Sequence, residues 1–348
     1  MPKTKDFFFN EHTRHGLKVG LASVLAYVAS GLLGLPYAYW AVITTVIVMQ
    51  MHVADSIQMC LYRFTGTAIG AAMGIAMILI FPPTPLFTLL GIFVGTSVCA
   101  YLTRYNTRFR MAAITVAIVY LTSLGDAHRI QFTLFRVAEI GMGVLCAFFV
   151  SVVVWPQRVA GALRERLRGQ FVELAELAAL LMDNFLSLQK KTDPKLFDDL
   201  ARENEKNREM FHKVFVTERR LFRDDVGLLS LQVSAFSSVL ERLRAMLILL
   251  NEAEGEGFEI IMAPELGELT QATAAALRDL GAGLTHDCSR LERAISAIEP
   301  RFVELRRQGV TQRFDAQRLF QVLGIINSAQ HLGDYVLEKL RREDAPHS

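Results

Sequence analysis

The sequence predicts an all-α membrane protein: six transmembrane helices, arranged as a 3+3 inverted repeat, followed by a cytoplasmic helical bundle. Three observations lead there. Hydrophobic residues fill 52% of the 348 positions, and mean hydropathy is positive, both high for a soluble chain of this size. Charge is divided unevenly: ten Lys/Arg and five Asp/Glu lie within residues 1–156, whereas residues 157–348 carry 27 basic and 30 acidic side chains. The net charge of +2 therefore hides a charge-poor basic half and a charge-dense, slightly acidic half, neither of them a nucleic-acid-binding face. Finally, WAVITTVIV (40–48) recurs as MAAITVAIV (111–119) with five of nine positions identical. The expected domains are a cytoplasmic N-terminal segment (1–16), a six-helix transmembrane domain (17–156) and a cytoplasmic α-helical domain (157–348).

Six apolar runs come first: Val19 to Leu35, Tyr37 to Val53, Phe64 to Phe81, Leu86 to Leu102, Phe109 to Gly125 and Leu134 to Val154. A helix needs roughly 20 residues to cross a hydrocarbon core about 30 Å thick; each run comes close to that, and almost no charge lies inside them. Pro36, the Asp55 region, Pro82-Pro83-Thr84-Pro85, the Arg-rich 104–110 and Gly125-Asp126 separate them. The first run lacks a small-residue cleavage site and leads straight into a second, so a secretory signal peptide is not expected.

Orientation follows from the cations, which favour short cytoplasmic loops. With the N-terminus inside, Lys3, Lys5, Arg14, Lys18, Arg63, Arg104, Arg108 and Arg110 gather on the cytoplasmic side, and only Arg129 and Arg136 fall outside. Tyr37, Tyr39 and Trp40 then mark the outer interface, with Tyr62, Tyr101, Tyr105 and Trp155 at the inner one. Both termini are expected in the cytoplasm.

The recurring stretch matches the second run to the fifth at an offset of 71. ASVLAYV (22–28) matches TSVCAYL (96–102) at 74, and Arg63, Gly70 and Pro83 match Arg136, Gly143 and Pro156 at 73. Three matches in one order imply a duplicated three-helix unit. An odd number of spans turns the second copy upside down, which is the layout of alternating-access transporters and related channels.

Beyond residue 157 the pattern is helical. Leu163, Leu167, Phe171, Leu174, Ala178, Leu181, Phe185 and Leu188 form one stripe, and Leu319, Val322, Ile326, Ala329, Leu332, Val336 and Leu340 another. Pro194, Gly255 with Gly257, Pro264, Gly281 with Gly283, and Pro300 punctuate the rest. An antiparallel bundle of five or six helices is expected, with the acidic 251–260 segment as an exposed connection.

The run PYAYWAVITTVIVMQ, a short polar link and YRFTGTAIGAAMG resemble the transmembrane module of the fusaric acid resistance family, which includes bacterial aromatic acid exporters. The matching features are Tyr39-Trp40-Ala41-Val42, Gln50 closing the second helix, Arg63 followed by Gly66-Thr67, Gly70 and Gly74, and the ending VVVWPQR. A more distant similarity is to plant aluminium-activated malate transporters, which are anion channels with six spans and a helical cytosolic domain. The resemblance implies efflux of small organic or aromatic carboxylate anions across the bacterial inner membrane, sometimes with a periplasmic adaptor protein. Many members resemble two such modules in tandem; a single one implies a homodimer.

A buried charge within a span is a functional candidate. Glu139 is the acidic residue well inside a predicted span, three residues after Arg136 and so on its face; it could carry a coupled proton, with Arg136 as an anion contact, or the two could form a structural pair. Arg63 occupies the equivalent place on the cytoplasmic side. Thr44, Thr45, Gln50 and Thr115 add hydrogen-bonding groups to the pathway candidates, although threonine also bonds its own helix. Gly66, Gly70 and Gly74 share one face and are expected to pack against a neighbouring helix. Arg104, Arg108 and Arg110 would meet anionic membrane lipid. No phosphate loop, dinucleotide fingerprint, catalytic triad or metal-ligand spacing occurs, so no enzyme activity, metal or cofactor is expected, and Cys60, Cys99, Cys146 and Cys288 suggest no disulfide framework. Three function classes follow: a proton-coupled organic-anion exporter, an anion channel, and a membrane-anchored scaffold or regulator acting through its cytoplasmic domain.

Overall fold

The computed structural model describes residues 11–82, 84–122, 129–187, 192–222, 226–252, 262–284, 287–310 and 316–344, and every regular element among them is helical. The chain divides into two compact units, Met1–Arg158 and Val159–Ser348.

The first unit contains α1 (Glu11–Leu32), α2 (Tyr39–Val48), α3 (Val53–Ile80), α4 (Pro85–Leu102), α5 (Arg108–Thr122) and α6 (Arg129–Val153). Four of these segments are long and apolar enough to cross a membrane: α1, α3, α4 and Ile130–Val153 of α6. Of the other two, α2 is shorter than its apolar run, and α5 is described as far as Thr122. At about 1.5 Å per residue, α2 covers only half of a hydrocarbon core. It stops because Met49 turns extended and the Ser56 hydroxyl takes over the backbone, accepting from the Gln50 N–H at 2.9 Å and donating to the Gln50 carbonyl at 3.1 Å. Gln50 thus lies beyond the second helix rather than closing it. Conversely, α3 begins eleven residues before its apolar run, at Val53, since hydrogen-bonded backbone continues through polar Asp55, Gln58 and Arg63. The Gly125-Asp126 link lies outside the described residues.

Packing in this unit does not follow chain order. α3 and α6 lie against each other, α2 packs on α6 and α5 packs on α3, while α1 lies outside against α2 and α6, and α4 against α5. Their outer faces stay apolar and uncovered, as at Val24 and Phe93. The start of α1, the start of α3 and the end of α6 meet at one end: Lys18 donates to the Trp155 carbonyl at 3.4 Å, and the Val53 N–H to the Gln157 carbonyl at 3.0 Å.

The second unit is a bundle of α7 (Val159–Leu186), α8 (Leu196–Lys213, continuing through a π-helical turn, Val214–Glu218, into Arg219–Phe222), α9 (Gly227–Glu252), α10 (Ala263–Ala282), α11 (Ser289–Arg307) and α12 (Ala316–Asp344). The expected stripe on α7 is its buried face from Leu163 to Phe185, its last member, Leu188, lying outside the described residues; it packs mainly on α10, where Gly281 lets the Phe171 ring lie directly on the backbone. Gly283, at φ +64°, ends α10 in the left-handed conformation that glycine adopts without a steric penalty. Pro300 does not punctuate; it sits inside α11 on its exposed side, where water can satisfy the carbonyl left without a donor. The acidic connection falls largely in 253–261, outside the described residues.

Candidate functional site

The charged pair is assembled by two helices. Arg136 and Glu139 lie one turn apart on α6, both buried, with Arg136 Nη1 3.2 Å from Glu139 Oε2. The other Glu139 oxygen accepts the backbone N–H of Tyr37 at 2.8 Å, just before α2. Aromatic rings enclose the guanidinium: its central carbon lies 4.6 Å from the Tyr37 ring centroid, 4.8 Å from those of Trp40 and Phe132, and 5.9 Å from that of Tyr39. Aromatic faces carry negative charge density that attracts a cation, so the guanidinium is stabilised even though water is excluded. A carboxylate bonded to a guanidinium and a backbone N–H has its charge balanced in a place where an isolated ion would cost several kcal/mol. The pair therefore fastens the start of α2 to α6. Composition alone places Tyr37, Tyr39 and Trp40 at a lipid interface; their closeness to an arginine a hundred residues away carries no signal in the sequence beyond the clustering of YAYW.

One helical layer further along, Gly143 of α6 faces α2. A Cβ added there would stand 2.9 Å from the Thr44 Cβ and would collide with the Ala41 carbonyl oxygen. Thr45 donates to the Ala41 carbonyl at 2.9 Å and is also within 3.1 Å of the Gly143 carbonyl, so this hydroxyl ties helix to helix. Thr44 is buried, and its hydroxyl has no partner among the described residues.

Arg63, Gly66, Gly70, Gly74 and Thr115 meet on the other side of the α3–α6 pair. Gly66, Gly70 and Gly74 form the face of α3 that receives α5: a Cβ on Gly70 would stand 2.6 Å from the Ala112 carbonyl oxygen and 2.7 Å from the Thr115 Cβ, and one on Gly74 would stand 2.7 Å from Val119. Thr115 donates to the Met111 carbonyl at 3.0 Å, within its own helix. Arg63 is buried at 1% exposure and its Nη1 lies 3.9 Å from the Met111 sulfur. No carboxylate of the described residues pairs with it; its neighbour one turn on, at the position matching Glu139, is Gly66.

The same contact is thus made twice with the halves exchanged. Gly70 presses on Ala112 and Thr115, and Gly143 presses on Ala41 and Thr44. At the offsets of 73 and 71 these are corresponding residues. Arg136 lies over Trp40 and Arg63 reaches Met111, again a corresponding pair. Two small clusters repeat part of the correspondence: Ala41, Cys146 and Met142 of one match Ala112, Met73 and Ile69 of the other. The candidates accordingly form two groups. Thr44, Thr45, Arg136 and Glu139 make one, Arg63, Gly66, Gly70, Gly74 and Thr115 the other, and Gln50 joins neither. Lys18, fully buried against the end of α6, is a further charge that the sequence marks only as a loop cation. Among the described residues no group of three or more His, Cys, Asp or Glu side chains could hold a metal ion.

The sequence profile of the Fusaric acid resistance protein family matches residues 12–344. The chain belongs to that family. Membership and the long apolar helices make it a multi-pass membrane protein. Among curated relatives, it is 29% identical over 168 residues to "Uncharacterized protein YhfK" of Escherichia coli K12, covering 47% of this chain and 24% of the relative. It is 29% identical over 141 residues to "UPF0421 protein YgaE" of Bacillus subtilis, covering 40% and 39%. It is 27% identical over 179 residues to "Uncharacterized transporter YdhK" of Escherichia coli K12, covering 48% and 26%. The chain therefore spans well under half the length of these curated relatives.

Proposed function

We propose that this protein is an inner-membrane transporter that exports small organic or aromatic carboxylate anions, coupled to protons, through six membrane-crossing segments arranged as two inverted three-helix repeats. The observation that carries this reading is the exchanged contact: each repeat's second helix packs through corresponding residues, Ala41 and Thr44 or Ala112 and Thr115, on a glycine of the other repeat's third helix. A two-fold arrangement of antiparallel repeats offers two similar packings of nearly equal energy, which is what alternating access needs. Family membership supports the same reading, as does a relative whose name includes "transporter".

Glu139 carries the coupled proton in this scheme. Ionised, it holds the Tyr37 N–H and Arg136 and keeps α2 fastened to α6. Protonated, it loses the charge that makes both bonds strong, and α2 is released at that end. Arg63, buried with no carboxylate partner among the described residues, and the threonines of α2 and α5 are the pathway contacts for the anion. With cations gathered at the end where α1 begins and α6 ends, that end faces the cytoplasm.

The test is flux of aromatic and aliphatic carboxylates from liposomes containing the purified protein, with and without a pH gradient, for wild type and Glu139→Gln. Gradient-dependent flux that the mutant loses is the expected result. Flux indifferent to the gradient would make the protein a channel, and no flux from correctly inserted protein would overturn the transport reading.

A further inference from the structure

The π-helical turn after α8 does something an uninterrupted helix would not. A π-turn accommodates one extra residue at a local cost and is found mostly where that residue is useful. Here it directs Val214 and Glu218 inward, both fully buried, and leaves Phe215 and Val216 outward at 46% and 49% exposure. The buried Glu218 carboxylate accepts the N–H groups of Val159 at 2.7 Å and Ala160 at 3.0 Å, the first two of α7, whose own helix supplies no acceptor for them. The turn is thereby pinned to the first residues of the second unit, only six residues after α6 ends at Val153. Six residues of chain reach at most about 20 Å.

The outward side combines two kinds of group. Phe215, Val216 and Leu221 are exposed apolar side chains within seven residues, and Arg219 and Arg220 are exposed beside them, with the Arg219 guanidinium carbon 5.2 Å from the Phe215 ring centroid. Among the described residues no carboxylate forms an ion pair with either arginine; Asp224 and Asp225 follow in the sequence. Apolar side chains flanked by arginines match the interfacial layer of a bilayer, where rings enter the acyl boundary and cations meet anionic headgroups.

We propose that this π-turn docks on the membrane surface, with Phe215 and Val216 inserted at headgroup depth and Arg219 and Arg220 on anionic lipid. The docking anchors the second unit to the bilayer through the segment that also caps its first helix. It rests on α6 spanning the membrane and is independent of whether the protein transports anything.

The test uses the full-length chain in nanodiscs. Cys60, Cys99 and Cys146 are buried, so in a Cys288→Ser background a thiol placed at Phe215→Cys is the reactive one and takes a fluorophore. Leu196→Cys serves as the control: Leu196 is equally exposed, at 49%, and lies at the far end of α8, about 28 Å away along the helix. Lipids spin-labelled near the headgroup should quench the label at 215 roughly threefold more than the label at 196 when phosphatidylglycerol is present. Adding Arg219→Gln with Arg220→Gln should bring quenching at 215 down to the control level. Equal quenching at the two positions would overturn the proposal. So would shielding of position 215 from aqueous iodide without lipid quenching, which would mean that protein, such as a second copy of the chain, covers the patch.

Discussion

Gly143 and Gly141 are two residues apart on α6, yet they have opposite surroundings: a Cβ at Gly143 meets α2 backbone and Thr44, and one at Gly141 meets nothing within 4 Å. Gly143→Ala should therefore lower the thermal unfolding temperature in detergent through an overpacking cost of about 1–3 kcal/mol. Gly141→Ala should leave it unchanged or raise it, since alanine restricts the unfolded chain. Equal effects at the two positions would show that α2 and α6 can separate without penalty. Much of this residue-level picture is legible in the sequence. Gly66, Gly70 and Gly74 at a four-residue spacing announce a packing face, and Arg136 three residues before Glu139 announces a pair. Partners distant in the chain are not legible. The Tyr37 N–H on Glu139 and the Thr45 hydroxyl on the Gly143 carbonyl join positions about a hundred residues apart, and a backbone group leaves no mark in composition.

At the scale of elements, hydropathy locates every apolar run but misjudges where α2 ends and α3 begins. Hydropathy reports the surroundings of side chains, whereas helix ends are set by backbone bonds such as those between Gln50 and Ser56. In the second unit, hydrophobic periodicity is sufficient to assign the buried face of α7, because an amphipathic helix in a bundle turns its apolar stripe inward. The links between its helices are partly electrostatic. Arg290 of α11 donates to both Glu268 oxygens of α10, at 2.8 and 3.1 Å, and these hydrogen bonds hold the Glu268 carboxyl below its ordinary value of 4.5. A carboxyl depressed by folding stabilises the protein at pH values above its unfolded value, and the contribution is lost as pH falls through the folded one. Both side chains are about half exposed, so the effect is small. The melting temperature of Glu268→Gln should lie slightly below wild type at neutral pH, and the gap should close in acid well below pH 4.5. A gap that persists there would mean the glutamate acts through packing rather than charge.

For the whole molecule, we propose a pair of chains, and in nanodiscs the protein component should weigh twice the 39.0 kDa of one chain. A single-chain mass with flux retained would place the complete pathway within one copy. The crossed packing of α2 on α6 and of α5 on α3 also bears on synthesis. When α2 leaves the ribosome, the glycine it will rest against has not yet been made, and a ten-residue apolar helix is too short to settle across a bilayer by its own hydrophobicity. The first three helices must therefore wait in a provisional arrangement until the last one arrives. The first three helices are an unfinished template, and the next three both complete it and are completed by it.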